Sequence, residues 1–437
     1  MLSPQVNRKI NLLQATSINM IDMVGIGPFV VMPFVISQFS SGLFLWAWIF
    51  GAFTAFTDAM IWSELGARYP LAGGTYNFHR IAFGQKGGRL MSFLFVWQTA
   101  IQAPLVVASG AIGFAQYLSY IVELGVWQQK AVSGGLVVLI FLLLYRRIET
   151  VGKISVLLWS VVILTVVWII VSGLLHRQHA VPLLPQGSES FFSFAFWAAI
   201  GQGSVKTVYS YLGYYNVCHL GGEIRDPGKN IPRSIFISVA GIATLYLLMN
   251  ISVMGVVDWH TVREDDKYLV SSFMQQLYGK QAGIAVTVLI LFIALASLFA
   301  VVLGYSRVPY AAAVDGNFFS PFARLHPVKQ FPYISLIVLC AAGFVFSLFM
   351  KLGDAISSIL AMRIVIQFIG QAAGVVLLRR RFGTPALPFR MWLYPLPVVL
   401  SVLIWLFLFF STGSFALWGV LIALAGVAVY YVVNNKP

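Results

Sequence analysis

Two stretches interrupt apolar sequence with residues able to hold charge. Asp22-Met23-Val24-Gly25-Ile26-Gly27-Pro28-Phe29 sets a carboxylate, two glycines and a proline in a long hydrophobic run. Tyr209-Ser210-Tyr211-Leu212-Gly213-Tyr214-Tyr215-Asn216 sets a glycine among tyrosines in another. Pro28 removes a backbone donor, and the glycines loosen the turn before it. A helix broken there presents free N–H groups and a positive dipole end near Gly27, which suits a carboxylate. Carbonyls freed near Met23 and over Tyr209–Leu212 can accept from an ammonium group. Together the two breaks suit a zwitterion, with Asp22, Met23, Gly25, Ile26, Gly27, Tyr209, Ser210, Tyr211, Leu212 and Gly213 as candidate substrate contacts. The competing reading is that glycine and proline only permit close helix packing or a kink.

Other polar residues fall inside apolar runs. Asp22, Asp58, Lys206 and Arg363 are ionisable at that depth, where charge is costly and a functional role is the default. Asp22 could attract an ammonium or carry a proton; Asp58 could carry a proton or hydrogen-bond a neighbouring helix. Lys206 lies one to two turns before the second break, and Arg363 approaches the same side, so both could face an outer vestibule. Gln98, Thr99 and Gln102 form a polar cluster, with Gln102 a candidate substrate contact and Tyr211 a candidate aromatic lid. Glu64 and Glu223 suit an inner gate or loop scaffold, with Arg68 or Arg225 as partners.

The elements that position these groups follow from composition. Of 437 residues, 59% are hydrophobic and only 10% charged, too few to coat soluble domains that carry about 25%. A polytopic all-α membrane protein remains, with room for about a dozen crossings at roughly 20 residues each. Apolar runs predict twelve spans, at about 12–37, 42–66, 89–120, 131–146, 154–174, 191–217, 234–256, 282–305, 333–350, 355–378, 392–411 and 415–433. The breaks fall in spans 1 and 6, five apart, as in two five-helix halves repeated with inverted topology. With a cytoplasmic N-terminus, 20 of the 28 Lys and Arg lie on the inner side, 6 on the outer side and 2 within spans. That asymmetry predicts cytoplasmic N- and C-termini. It also accounts for the net charge of +14 without a nucleic-acid partner, leaving anionic lipid headgroups as the polyanion nearby. The stretch from Asp258 to Lys280 reads as a solvated outer loop. No cleavable signal peptide or disulfide framework is expected, with Cys218 and Cys340 the two cysteines.

Three further segments carry a resemblance. Glu64-Leu65-Gly66-Ala67-Arg68-Tyr69-Pro70-Leu71-Ala72-Gly73-Gly74-Thr75-Tyr76 resembles the span 2–3 signature of amino acid permeases of the amino acid–polyamine–organocation superfamily. Tyr211-Leu212-Gly213, with Gly222-Glu223-Ile224-Arg225-Asp226-Pro227 and Asn230-Ile231-Pro232-Arg233, resembles the span 6–7 signature. Arg307-Val308-Pro309-Tyr310-Ala311-Ala312-Ala313-Val314-Asp315-Gly316 resembles the segment after span 8. The resemblance covers nearly the whole chain. It implies a LeuT-type 5+5 inverted repeat, with one repeat over about 12–174, the second over about 191–378 and peripheral helices over about 392–433, in a single transmembrane domain spanning 1–437. It implies carboxylate binding at Gly25, Ile26 and Gly27, and amine-facing carbonyls at Met23, Tyr209 and Leu212. Ile26 stands where relatives often have Ser or Thr, so only backbone N–H groups are available there. Val162 stands where many relatives place a lysine, with Lys153 nearer the inner surface. Ser297, in the central part of span 8, is the hydroxyl that a sodium site would use; it joins Asp22, Asp58 and Lys206 as a coupling or gating candidate.

The expected function is secondary transport of amino acids across the cell membrane by alternating access, as proton-coupled symport or exchange. A polyamine or organic-cation carrier is the alternative, and a non-transporting nutrient sensor a further one. No catalytic set, cofactor or metal site is expected. The segment Gly222–Asn230 has the wrong spacing for a phosphate loop, no GxSxG occurs, and His176 and His179 lack further metal ligands nearby.

Overall fold

The computed structural model describes residues 8–40, 42–71, 73–145, 151–185, 190–329, 331–383 and 387–434, without the side chains of 151–155 and 433–434. Ala72, Arg146, Arg147, Lys436 and the Lys153 side chain lie outside the described residues. Among the described residues the regular structure is helical, apart from one isolated bridge between Ile10 and Ile224.

The first apolar run folds as two helices, α1 (Leu12–Met23) and α2 (Gly27–Ser37), bent by 48° across Val24–Ile26. Helix α1 starts on a capping box: the Asn11 side chain accepts from the Gln14 N–H at 2.9 Å, and Gln14 accepts from the Asn11 N–H at 3.1 Å. Helices α3 (Leu45–Arg68), α4 (Thr75–Ala82), α5 (Gly84–Leu118), α6 (Val126–Leu144) and α7 (Val151–Leu175) follow. Then come α8 (Phe194–Tyr211), the single turn α9 (Asn216–His219) and α10 (Pro227–Met254), with proline at its first position, where a missing N–H is tolerated. The rest comprises α11 (Leu269–Tyr278), α12 (Lys280–Tyr305), α13 (Arg307–Val314), α14 (Tyr333–Phe349), α15 (Leu352–Arg363), α16 (Gly370–Phe382), α17 (Leu396–Ser411) and α18 (Phe415–Asn434). A π-helical turn over Ile364–Ile369 joins α15 to α16.

Among the described residues, eight helices are long and apolar enough to cross a bilayer, and nine with the bent α1–α2 pair. Helices occupy all twelve segments expected from the sequence. Three of them fall short of that test for plain reasons. Helices α14 and α17 span only 17 and 16 residues, and α8 carries Lys206, serines and glycines among its apolar residues.

Exposure separates centre from rim. In the span from Leu352 to Phe382, 78% of the apolar window is buried within the protein; in α18 it is 11%. Helix α18 therefore shows apolar side chains such as Leu417, Trp418 and Leu424 to its surroundings, as a lipid-facing helix must.

Two expectations are corrected here. The stretch from Asp258 to Lys280 is not simply a solvated loop, because α11 lies within it. Leu269, Val270, Phe273 and Met274 recur on one face and are buried against α2, α7 and α12. Glu64 pairs with neither Arg68 nor Arg225. Its Oε1 accepts from Arg379 Nε at 2.7 Å, and its Oε2 accepts from Arg379 Nη2 and from the Met391 N–H at 2.8 Å. The partner is 315 residues away, where α16 ends beside α3, beyond the reach of sequence proximity.

Candidate functional site

The two breaks meet. Gly213 holds φ at +121°, a conformation that L side chains rarely adopt. A Cβ at Gly213 would lie 2.9 Å from the backbone carbon of Asp22 and from the Met23 nitrogen. Glycine is therefore what lets the second break touch the first. Tyr246 of α10 spans both: its hydroxyl lies 2.9 Å from the Met23 carbonyl and 3.1 Å from the Ser210 carbonyl. One proton serves the two acceptors, so the break carbonyls keep lone pairs for a ligand.

Around the contact lies a cavity of about 60 Å³. Asp22, Met23, Gly25, Ile26 and Gly27 line it from the first break, and Tyr209, Ser210, Leu212, Gly213 and Tyr215 from the second. Helix α5 adds Val106 and Gly110, α12 adds Ala294, Ser297, Leu298, Val301 and Tyr305, and α15 adds Ile359 and Arg363. Among the described residues, no backbone acceptor pairs with the N–H groups of Gly25, Ile26 or Gly27. They sit at the start of α2, where a helix leaves donors free. Ser297 is close to this donor turn: a Cβ at Gly25 would meet its Oγ at 2.8 Å. Tyr209 flanks the other side, with a Gly27 Cβ position 3.2 Å from its ring and its hydroxyl 2.8 Å from Ser109 Oγ.

The cavity carries both signs of charge. Asp22 has no hydrogen bond or ion pair among the described residues, and lies within electrostatic reach of Arg363. The Arg363 guanidinium, 3% exposed, donates from Nη1 to the Tyr215 hydroxyl at 2.5 Å and from Nη2 to the Tyr305 hydroxyl. It sits at the last position of α15, where the π turn begins; such turns are frequent at functional sites.

Of the residues singled out in the sequence, the structure thus brings Asp22, Met23, Gly25, Ile26, Gly27, Tyr209, Ser210, Leu212, Gly213 and Ser297 to one cavity. Four others lie elsewhere. Tyr211 is fully buried against Trp48 and Tyr246, on the side of α8 turned from the cavity lining, so it is not placed as a lid. Gln102 is buried in α5 beside the Tyr305 side chain, behind the lining. Asp58 is buried between α3 and α17, accepting from Tyr214 at 2.5 Å, Trp405 at 3.3 Å and Ser401 at 3.4 Å. Among the described residues Lys206 pairs with no carboxylate. It donates to the Gly353 carbonyl at 2.8 Å and to Ser357 at 3.0 Å, with its ammonium 5.0 Å from the centre of the Phe34 ring.

Sequence reasoning missed Tyr305 and placed Arg363 on the approach rather than in the cavity. Depth and charge flagged Arg363, but nothing local in the sequence says which face of α15 or α12 turns inward. Two further hollows flank the centre. One, of about 230 Å³, lies between α1, α12 and α13 and is lined by Gly73, Tyr76, His219, Glu223 and Arg307 among others. The other, of about 590 Å³, is lined by Phe34, Glu264, Asp265, Asp266, Lys267, Lys351 and Asp354 among others.

Comparison with known proteins identifies the family. A family model described as amino acid permease matches residues 10–433. An uncharacterized amino acid permease, YecA, of Bacillus subtilis is 28% identical over 348 residues, 79% of this chain and 77% of that protein. The serine/threonine exchanger SteT of the same organism is 25% identical over 452 residues, 99% of this chain and 98% of that protein. Cationic amino acid transporter 4 of Mus musculus is 25% identical over 402 residues, 88% of this chain but 62% of that protein. The chain belongs to the amino acid permease family and is a multi-pass membrane protein.

Proposed function

We propose that this permease moves small amino acids across the cell membrane as a secondary transporter working by alternating access. The observation that carries the reading is the meeting of two broken helices around one cavity. There the unpaired N–H groups of Gly25–Gly27 offer a seat for a carboxylate, and Asp22 with the freed carbonyls offers one for an ammonium. A volume near 60 Å³, against roughly 10–15 Å³ for one water, favours a small substrate. The buried Arg363 in the same cavity argues against a polyamine, whose ammonium groups it would repel.

The architecture that goes with this function is a single domain of twelve spans. Spans 1–5 and 6–10 form two inverted repeats, spans 11 and 12 lie at the periphery, and both termini are cytoplasmic. The hollow beside Arg307 is then the inner vestibule and the one beside Asp354 the outer cleft. Coupling is by proton symport or by exchange; the similarity to an exchanger over nearly its full length favours exchange. Asp22, Asp58, Lys206 and Ser297 are the coupling or gating candidates. Asp58 accepts from Tyr214 inside the second break, so its protonation would be felt there.

The test is uptake of labelled amino acids into proteoliposomes, with and without pH and sodium gradients or internal amino acid. Gly27→Val should abolish uptake while the protein stays monodisperse in detergent, because a Cβ there already crowds the Tyr209 ring at 3.2 Å. Unchanged uptake by that variant sinks the site assignment, and no uptake of any amino acid by the unmodified protein sinks the function.

A further inference from the structure

Arg363 is bound more sparsely than its burial allows. Transfer of a guanidinium out of water is costly unless its donors are met and its charge is balanced. The two hydroxyls that meet it, of Tyr215 and Tyr305, are neutral acceptors on one nitrogen each. Among the described residues the buried Nε–H has no partner, and no carboxylate lies within 4.0 Å of the side chain. The group lines the central cavity and sits at the junction of α15 with the π turn. A buried guanidinium that lines a cavity and meets only neutral acceptors is a group whose charge a carboxylate balances with charge-assisted hydrogen bonds.

That seat is additional to the other two. The N–H groups of Gly25–Gly27 lie at the start of α2, whereas Arg363 enters from α15 between Tyr215 and Tyr305. Among the described residues Asp22 supplies the one negative group lining the same space. The cavity therefore holds two places for anionic oxygen and one for an ammonium. We propose that Arg363 is a specificity residue that binds the side-chain carboxylate of a small dicarboxylic amino acid. The α-carboxylate takes the Gly25–Gly27 turn, and the ammonium takes Asp22 with the break carbonyls. The proposal rests on the transport reading above and deepens it by naming the substrate class. Tyr215 and Tyr305 act as positioning residues, since their hydroxyls hold the guanidinium at its two terminal nitrogens.

The test begins with the unmodified protein in proteoliposomes and labelled aspartate, alanine and arginine. Aspartate should be taken up, and excess unlabelled aspartate should displace alanine at least tenfold better than arginine does. The second arm compares the ratio of KM for aspartate to KM for alanine in Arg363→Gln and Arg363→Lys. The ratio should rise tenfold or more in Arg363→Gln and by less in Arg363→Lys, which keeps the charge but loses the fork. Uptake of alanine without any uptake or competition by aspartate overturns the proposal while leaving amino acid transport standing. An unchanged ratio in Arg363→Gln also overturns it. Absence of uptake for all three labels overturns the transport reading itself. If neither variant can be purified folded, the competition in the unmodified protein decides alone.

Discussion

Gly213 shows how much one residue decides. Its φ of +121° and the 2.9 Å approach to the Asp22–Met23 backbone leave no room for any side chain. Replacement by alanine must place a strained conformation, costing about 1–3 kcal/mol, directly against the first break. Gly213→Ala should therefore lower uptake at least tenfold; full activity would mean that the breaks do not have to touch. Glycine and proline were legible in the sequence because they act on their own backbone, so both breaks could be located without a structure. The cavity lining from other helices was not. Val106, Tyr305 and Ile359 sit in unbroken apolar runs, and only packing decides which of their neighbours face inward. Tyr211 illustrates the same limit: it stands in the break motif, yet its ring turns to Trp48 and Tyr246.

At the scale of elements, distant segments are tied by a few polar contacts. The Glu64–Arg379 pair joins α3 to the end of α16, with side chains 4% and 6% exposed, and the Glu64 carboxylate also receives the Met391 N–H. The Arg379 guanidinium lies 3.9 Å from the centre of the Tyr394 ring. Removing one partner leaves a buried charge unbalanced, which costs about 3–5 kcal/mol. Arg379→Met should thus lower the melting temperature in detergent markedly, and the double variant Glu64→Met, Arg379→Met should recover much of the loss. Equal melting of single and double variants would show that the pair carries no coupling. Long apolar runs made the spans legible, since periodicity and hydropathy extend over many residues. Short helices were not: α4 and α11, of 8 and 10 residues, lie in stretches polar enough to read as loops. Their helicity depends on tertiary burial rather than on propensity.

At the scale of the whole molecule, orientation follows from charge. The 20 basic residues expected on the inner side are the ones that the insertion bias and anionic lipid would hold there. Charge asymmetry reads orientation from sequence because it sums over many loops and tolerates errors in any one span boundary. Single cysteines provide the check. Both native cysteines, Cys218 and Cys340, are buried, so background labelling by a membrane-impermeant maleimide is low. Asp265→Cys lies on the expected outer side and should be labelled in intact cells. Val328→Cys, at a position 81% exposed on the expected inner side, should be labelled only after permeabilisation. Reversal of the two patterns would invert the topology. It would exchange the two vestibules as well, putting the hollow beside Arg307 on the outer side and leaving Lys206 on the inner approach to the cavity. Labelling of both in intact cells would place 265 and 328 on one face and require an odd number of crossings to be removed between α11 and α14. The apolar length of α12, with no basic residue between Lys280 and Arg307, argues against that.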